Sequence, residues 1–236
     1  MEIVLGLTPE MRGSNFDPLL QFRKIAEKDP TQKHALDRLI RASEKPSLHE
    51  VVRAWVHRTP IMGSNPGDEG DSDVVSKYVS DHLDAFERHS KDQEAAMLQS
   101  SDMPPEAIKG RFEGARIQVR SFLLPDGKLD RFRAGLLFIE SYRELPLLTW
   151  PRALVDAVVE LEEAMVKWRH AHARMVERII GRRVGTGGSS GVDYLDATAA
   201  YRVFTDLWGI RTVLVRPELR PEIERPEFYS FSSGSE

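Results

Sequence analysis

The chain has 236 residues, 41% of them hydrophobic and 30% charged, the balance of a globular protein with room for a sizeable core. Lys and Arg number 33 against 37 Asp and Glu, a net charge of -4, which argues against a general nucleic-acid partner and against a polybasic membrane patch. Cysteine is absent, so disulfides, thiolate nucleophiles, iron–sulfur clusters and cysteine-ligated zinc or haem are excluded. The opening residues MEIVLGLTPEMRGS show no charged leader before an apolar core, and no run approaches about 18 apolar residues. The expectation is a cytoplasmic protein with neither signal peptide nor membrane span.

In chain order, residues 15–42 carry Phe16, Leu19, Leu20, Phe22 and Ile25, then Leu36, Leu39 and Ile40, the spacing of two short amphipathic helices parted near Asp29 and Pro30. The run SLHE, from Ser47 to Glu50, is a capping box that opens a helix bearing Val51, Val52 and Trp55. That helix must stop by Thr59, since the residue before Pro60 is pushed out of the helical region. IMGSNPGDEGDSD at 61–73 reads as a long loop. Val75, Val79, His82, Phe86 and His89 then mark a helix ending before Met103. Residues 106–149 leave two readings open: helices at 107–122, interrupted by Gly110 and Gly114, and at 129–142, or a strand pair around 117–124.

After Trp150 and Pro151, the residues Leu154, Val158, Leu161, Met165, Trp168, His172, Met175 and Ile179 fall at alternating steps of four and three, one core-facing stripe of a long helix. Pro151 suits its first turn, and Gly181 or Gly185 supplies its stop. A last short helix is predicted over 194–208. The tail from Arg216, with its prolines, is expected to be extended and frayed at the tip. The fold is predicted to be all-α, a single domain over residues 1–236.

Histidines are the first candidates for chemistry. His172 lies on the apolar stripe of the long helix, and His170 points to the opposite side. Such a histidine is either a hydrogen-bonded core residue or a neutral imidazole ligand for a metal or haem iron. His82 and His89 share a helix face but stand about 10 Å apart along the axis, too far to clasp one ion, and read as half-exposed surface residues. His170 and His172 diverge by roughly 200° around the helix and form no chelate. The cluster GTGGSSG from Gly185 to Gly191 has neither the Lys-Ser/Thr pair nor the preceding strand of a nucleotide loop. It reads as a flexible connector, or as backbone N–H groups and hydroxyls suited to a small anion or zwitterion.

Taken together, WRHAHARMVERIIGRRVGTGGSSGVDYL (from Trp168 to Leu195), RVFTDLW (from Arg202 to Trp208) and RTVL resemble the tryptophan 2,3-dioxygenase family, in which a WRxRH element precedes an ERxIG segment and a GTGGSxGxxYL loop. The resemblance runs back to Ala153 and covers about a third of the chain, residues 150–215 holding the family-like core and 216–236 an extended tail. It implies a short, divergent member: one helical bundle enclosing a haem b pocket, with His172 as the iron ligand and Trp168 and Gly185 against the cofactor. Thr186 is implied to bind the substrate ammonium, with Gly187, Gly188 and Ser189 beside it.

The implied reaction is oxidation of the ring of a free aromatic amino acid by dioxygen, the substrate being tryptophan or a tryptophan or tyrosine derivative, as in natural-product biosynthesis. Opening of the indole ring to N-formylkynurenine is the alternative. The family's distal histidine helix and its FR…SGFQS stretch are not written out here. The nearest substitutes are His57 and Arg58 as catalytic groups, with Arg58 and Ser64 also binding substrate; Arg111, Arg116 and Arg120 form a second possible carboxylate clamp. A homodimer or homotetramer is expected, its distal pocket including residues 58–73 and its aromatic tail docked on its own domain or on a neighbour. The competing readings are a non-catalytic helical binding protein and a binder of phosphate esters at the glycine cluster.

Overall fold

The computed structural model describes residues 30–182 and 191–231. Eight α-helices run through them: α1 Pro30–Ser43, α2 Leu48–His57, α3 Asp71–Ser100, α4 Pro105–Leu123, α5 Arg131–Ser141, α6 Pro146–Ile180, α7 Gly191–Ala199 and α8 Thr205–Gly209. Strand pairing among the described residues is limited to one bridge between Ile61 and Ser64. The fold is all-α, and residues 117–124 belong to α4 and the turn after it. The helix predicted upstream of Pro30 and the tip of the tail lie outside the described residues. The chain divides into two compact units, Met1–Arg53 with Ala157–Thr205, and Ala54–Asp156 with Asp206–Glu236.

In the first unit, the capping box closes as its residue types require. Ser47 N donates to Glu50 Oε2 at 2.7 Å, and Glu50 N donates to Ser47 Oγ at 3.2 Å. At the far end of α6, Gly181 has φ +66 and donates its N–H to Glu177 O, the left-handed stop that a residue with a side chain resists. The helix predicted over 194–208 is instead two, α7 and α8, parted at residues 200–204. The cause is a buried carboxylate: Glu162 of α6 accepts from Val203 N and, at 3.0 Å, from Phe204 N, so those amides leave the helical ladder. Arg169, also buried, donates to Tyr201 O at 2.5 Å. These two side chains pin the break to α6.

The second unit is built round α5. Asp130 caps it, accepting from Phe132 N at 2.9 Å and Arg133 N at 3.4 Å, and its residues from Phe132 to Glu140 are almost all buried. A helix buried nearly all round belongs at the centre of its unit. Phe138 meets Tyr142 at 4.7 Å, Tyr229 at 5.2 Å and Tyr78 at 5.5 Å between ring centroids. The tail therefore does not lie loose up to that point: it forms short 3-10 turns, and Tyr229 is buried. Helices α3 and α4 pack side by side, with Arg116 of α4 on Glu94 of α3 at 2.7 Å. Helix α6 begins at Pro146, five residues before the expected start, so Pro151 sits in its second turn. So near the N-terminus the missing N–H costs a single helical bond, the one to residue 147.

Candidate functional site

Helix α6 presents the face on which the functional reading turns. Its predicted core stripe is buried at Val158 and Met165, but Leu161 is 41%, Trp168 51%, Met175 50% and Ile179 73% exposed. The buried stripe runs one residue over, through Val155, Val159, Glu162, Arg169 and Ala173. Two charged residues on that stripe disguise it in the sequence, because hydropathy counts Glu162 and Arg169 as solvent-facing. Their signal is the spacing itself: seven residues apart, they fall on the face of Val155 and Val159.

His172 is half-buried on the exposed apolar face. Its ring lies parallel to that of Trp168, at 5.1 Å between centroids and 6° between planes, and hydrogen-bonds to no other described residue. An imidazole with both nitrogens unspent, backed by an indole and flanked by Met175, has the donor chemistry of a neutral nitrogen ligand to a large apolar cofactor. His170 is exposed and couples electrostatically to the Asp196 carboxylate, among charged side chains. Haem fits the first histidine and not the second.

His82 departs from the surface position expected of it. It is fully buried in the second unit, with Nε2 2.8 Å from Val213 O and Nδ1 without a partner. The accepting carbonyl makes Nε2 the protonated nitrogen, so His82 is a structural histidine with no nitrogen free to reach solvent. Burial lowers its pKa, against the raising effect of the Val213 carbonyl. His89 is half-buried, as predicted.

The loop assigned to the distal side is tied down from several directions within the second unit. Ile61 and Ser64 exchange two backbone hydrogen bonds of 3.0 Å around Met62 (φ 52) and Gly63 (φ 79). Tyr229 Oη accepts from Gly63 N at 2.8 Å and donates to Pro60 O at 3.1 Å. Arg131 pairs with Asp71 at 3.0 Å and donates to the carbonyls of His57 and Thr59. Ser64 Oγ donates to Asp71 Oδ1 at 2.8 Å, so its one proton is committed and only its acceptor capacity remains. His57 and Arg58 are exposed. Arg58 borders a cleft of about 370 Å3 walled by Trp55, Leu147, Pro151 and Phe228, and its guanidinium has no partner among the described residues. Of the alternative clamp, Arg116 is held by Glu94 and Glu113, while Arg111 and Arg120 are exposed. Arg131 had no sequence signal, because it acts across a long stretch of chain; for Tyr229 the signal was the aromatic tail expected to dock, while its seat on Pro60 and Gly63 had none.

Gly185, Thr186, Gly187, Gly188 and Ser189 lie outside the described residues. Their flanks do not. Arg182, after α6, and Asp193, in α7, are 2.7 Å apart.

The described residues are all-α, and α6 displays on an apolar face a histidine that makes no hydrogen bond to another described residue. Comparison with known sequences resolves the class. Residues 18–214 match the family profile described as tryptophan 2,3-dioxygenase, well beyond the third of the chain in which the motifs are legible. A "tryptophan 2,3-dioxygenase-like protein" of Xanthomonas campestris pv. campestris (strain 8004) is 39% identical over 98% of this chain and 88% of its own length. The "tryptophan 2,3-dioxygenase 2" of Ralstonia nicotianae is 43% identical over 79% of this chain and 53% of its own, and the "tryptophan 2,3-dioxygenase" of Sorangium cellulosum 38% over 98% and 58%. The chain belongs to the tryptophan 2,3-dioxygenase family, and it spans a little over half the length of those two relatives. No described helix is long and apolar enough to cross a membrane.

Proposed function

We propose that this protein is a cytoplasmic, haem-dependent oxygenase that uses dioxygen to oxidise the ring of a free aromatic amino acid, tryptophan or a tryptophan or tyrosine derivative. The observation that carries the reading is His172: an imidazole with no hydrogen bond to a described residue, stacked on Trp168 on an apolar face that would otherwise stand in water. Haem b, held through His172, supplies the dioxygen chemistry. The chain's own residues do the rest. Trp168 holds the plane of the imidazole and shields it from solvent. The family resemblance assigns the charged end of the amino acid to Thr186, Gly187, Gly188 and Ser189, and the cofactor to Gly185. Arg58, the unpaired cation on an aromatic cleft, is suited to a carboxylate; Ser64 can only accept. Exposed His57 is the group available for proton transfer.

A neutral histidine ligand favours oxygen addition to electron-rich indole or phenol rings over attack on unactivated C–H bonds. Ring insertion, with a place in natural-product synthesis, is the reading we adopt. Mass spectrometry of product formed under labelled dioxygen distinguishes one transferred oxygen atom from the two of indole opening. The test of the ligand is substitution: His172→Ala is expected to give folded protein with little haem, and His170→Ala to keep it. A His172→Ala protein with full haem and an unchanged Soret band would overturn the assignment.

A further inference from the structure

Within the second unit, the C-terminal tail reaches the cleft that Arg58 borders. Phe228 lines that cleft together with Trp55, Leu147 and Pro151, and its volume of about 370 Å3 falls in the range of about 300–1,000 Å3 usual for small-molecule sites. Phe228 is 36% exposed, whereas Tyr229 beside it is buried, its ring 5.0 Å from that of Phe228 and 5.2 Å from that of Phe138 in the core. The Tyr229 hydroxyl donates to Pro60 O and accepts from Gly63 N, and Arg225 donates to Gly63 O at 3.2 Å. Three side-chain hydrogen bonds thus join the tail to the turn that follows Arg58. A Cβ on Gly63 would stand 2.8 Å from Arg225 Nη2, so the glycine is what lets the guanidinium lie on the turn. Arg225, Phe228 and Tyr229 all lie past residue 214, where the match to the family profile ends.

We propose that the tail completes the substrate site: Phe228 is a specificity-determining wall for the aromatic ring, and Tyr229 and Arg225 are positioning residues that set Phe228 and the turn at 60–63 in place. The proposal rests on the reading that the cleft beside Arg58 holds the amino acid. One uncompensated cation at the edge of a cleft with aromatic walls suits a ligand that is anionic at one end and aromatic at the other. A carboxylate on Arg58 leaves the ring of a free amino acid only a few bonds away, within the same cleft. Walls gain most when they are in place before the ligand arrives, since ordering a side chain on binding is an entropic cost set against affinity. Phe228 meets that condition because the next residue is buried and hydrogen-bonded twice through its hydroxyl. Removing that hydroxyl leaves Gly63 N and Pro60 O without their partner and loosens the wall and the turn together.

The experiment is calorimetric titration of the haem-loaded full chain with L-tryptophan and with tryptamine, which keeps the indole ring and lacks the carboxylate. Phe228→Ala is expected to weaken both ligands by a like factor, about five- to thirtyfold, and Phe228→Leu to recover part of the loss. Arg58→Gln should weaken L-tryptophan alone. Tyr229→Phe and Arg225→Gln should each cost about two- to tenfold for both ligands, and neither loss should add to that of Phe228→Ala. The Soret band should be unchanged throughout. If Phe228→Ala binds both ligands as the parent does while Arg58→Gln weakens L-tryptophan, the wall is overturned and the reading of Arg58 stands. If Phe228→Ala weakens both and Arg58→Gln changes nothing, the wall stands and the carboxylate contact falls. Indifference to both substitutions overturns both. Losses from Tyr229→Phe and Arg225→Gln that add to that of Phe228→Ala, or that are absent, overturn the positioning role. Should Tyr229→Phe fail to fold, Arg225→Gln decides that role alone, since it cuts the tie at the Gly63 carbonyl and leaves the buried ring in place.

Discussion

At the residue scale, His82 links a buried side chain to the pH range of the protein. Its Nδ1 has no partner and its Nε2 is spent on Val213 O, so a second proton would put an unsolvated charge inside the second unit. Burial accordingly holds the folded-state pKa below the ordinary value of 6.5. The sign follows from proton uptake. With the folded value depressed, the unfolded chain protonates first, so stability is intact above the ordinary histidine range and is lost as pH falls through it. Replacement by Gln keeps an N–H donor for the Val213 carbonyl but cannot titrate. The parent protein should therefore lose more in Tm than His82→Gln between about pH 7.5 and about 5.5, as read by thermal melts followed by circular dichroism. Equal losses would show that acid sensitivity arises elsewhere.

At the element scale, two glycines of helices make opposite demands. A Cβ on Gly135 of α5 would stand 2.8 Å from the Val56 carbonyl oxygen and 3.3 Å from Val56 Cγ1, so the missing side chain is what allows the chain near the end of α2 to lie against α5. Gly114 of α4 has open space around its Cβ position. Alanine favours a helix interior over glycine by about 1 kcal/mol, while overpacking a tight contact costs about 1–3 kcal/mol. Gly114→Ala should thus raise the denaturation midpoint, and Gly135→Ala should lower it despite the same gain in propensity. Denaturant titration of the two variants checks this, and a stabilised Gly135→Ala would show that the contact relaxes without cost. Helix α6 shows the same competition at larger size. Its sequence period names a stripe, and the buried partners of Glu162 and Arg169 rotate the packed face by one residue.

For the whole molecule, the unspent apolar surface of α6 is the feature with a measurable consequence. Trp168, Met175 and Ile179 are each half exposed or more along one face of one helix, and Ile180 beside them is 47% exposed. On the proposed reading, a haem on His172 would cover the part nearest that residue, and a second copy of the chain would cover the remainder. We expect a homodimer or homotetramer by light scattering of haem-loaded protein at micromolar concentration; a haem-loaded monomer would show that one chain covers the face alone. Most helices were legible in the residues: the capping box at Ser47, the stop at Gly181 and the rhythm of α3 are local, and propensity and capping act over a few neighbours. The motif from Trp168 to Leu195 likewise named the family, because it is a continuous run. That the aromatic tail docks was legible, but the break at residues 200–204, the burial of His82 and the seat of Tyr229 on residues 60–63 were not, since each depends on a partner 41 to 169 positions away in the chain. Local energies determined which segments are helical and which histidine stands beside the tryptophan. Only tertiary packing decided which face of each helix is covered, because a buried carboxylate that finds two amides outweighs the hydropathy of the residues around it.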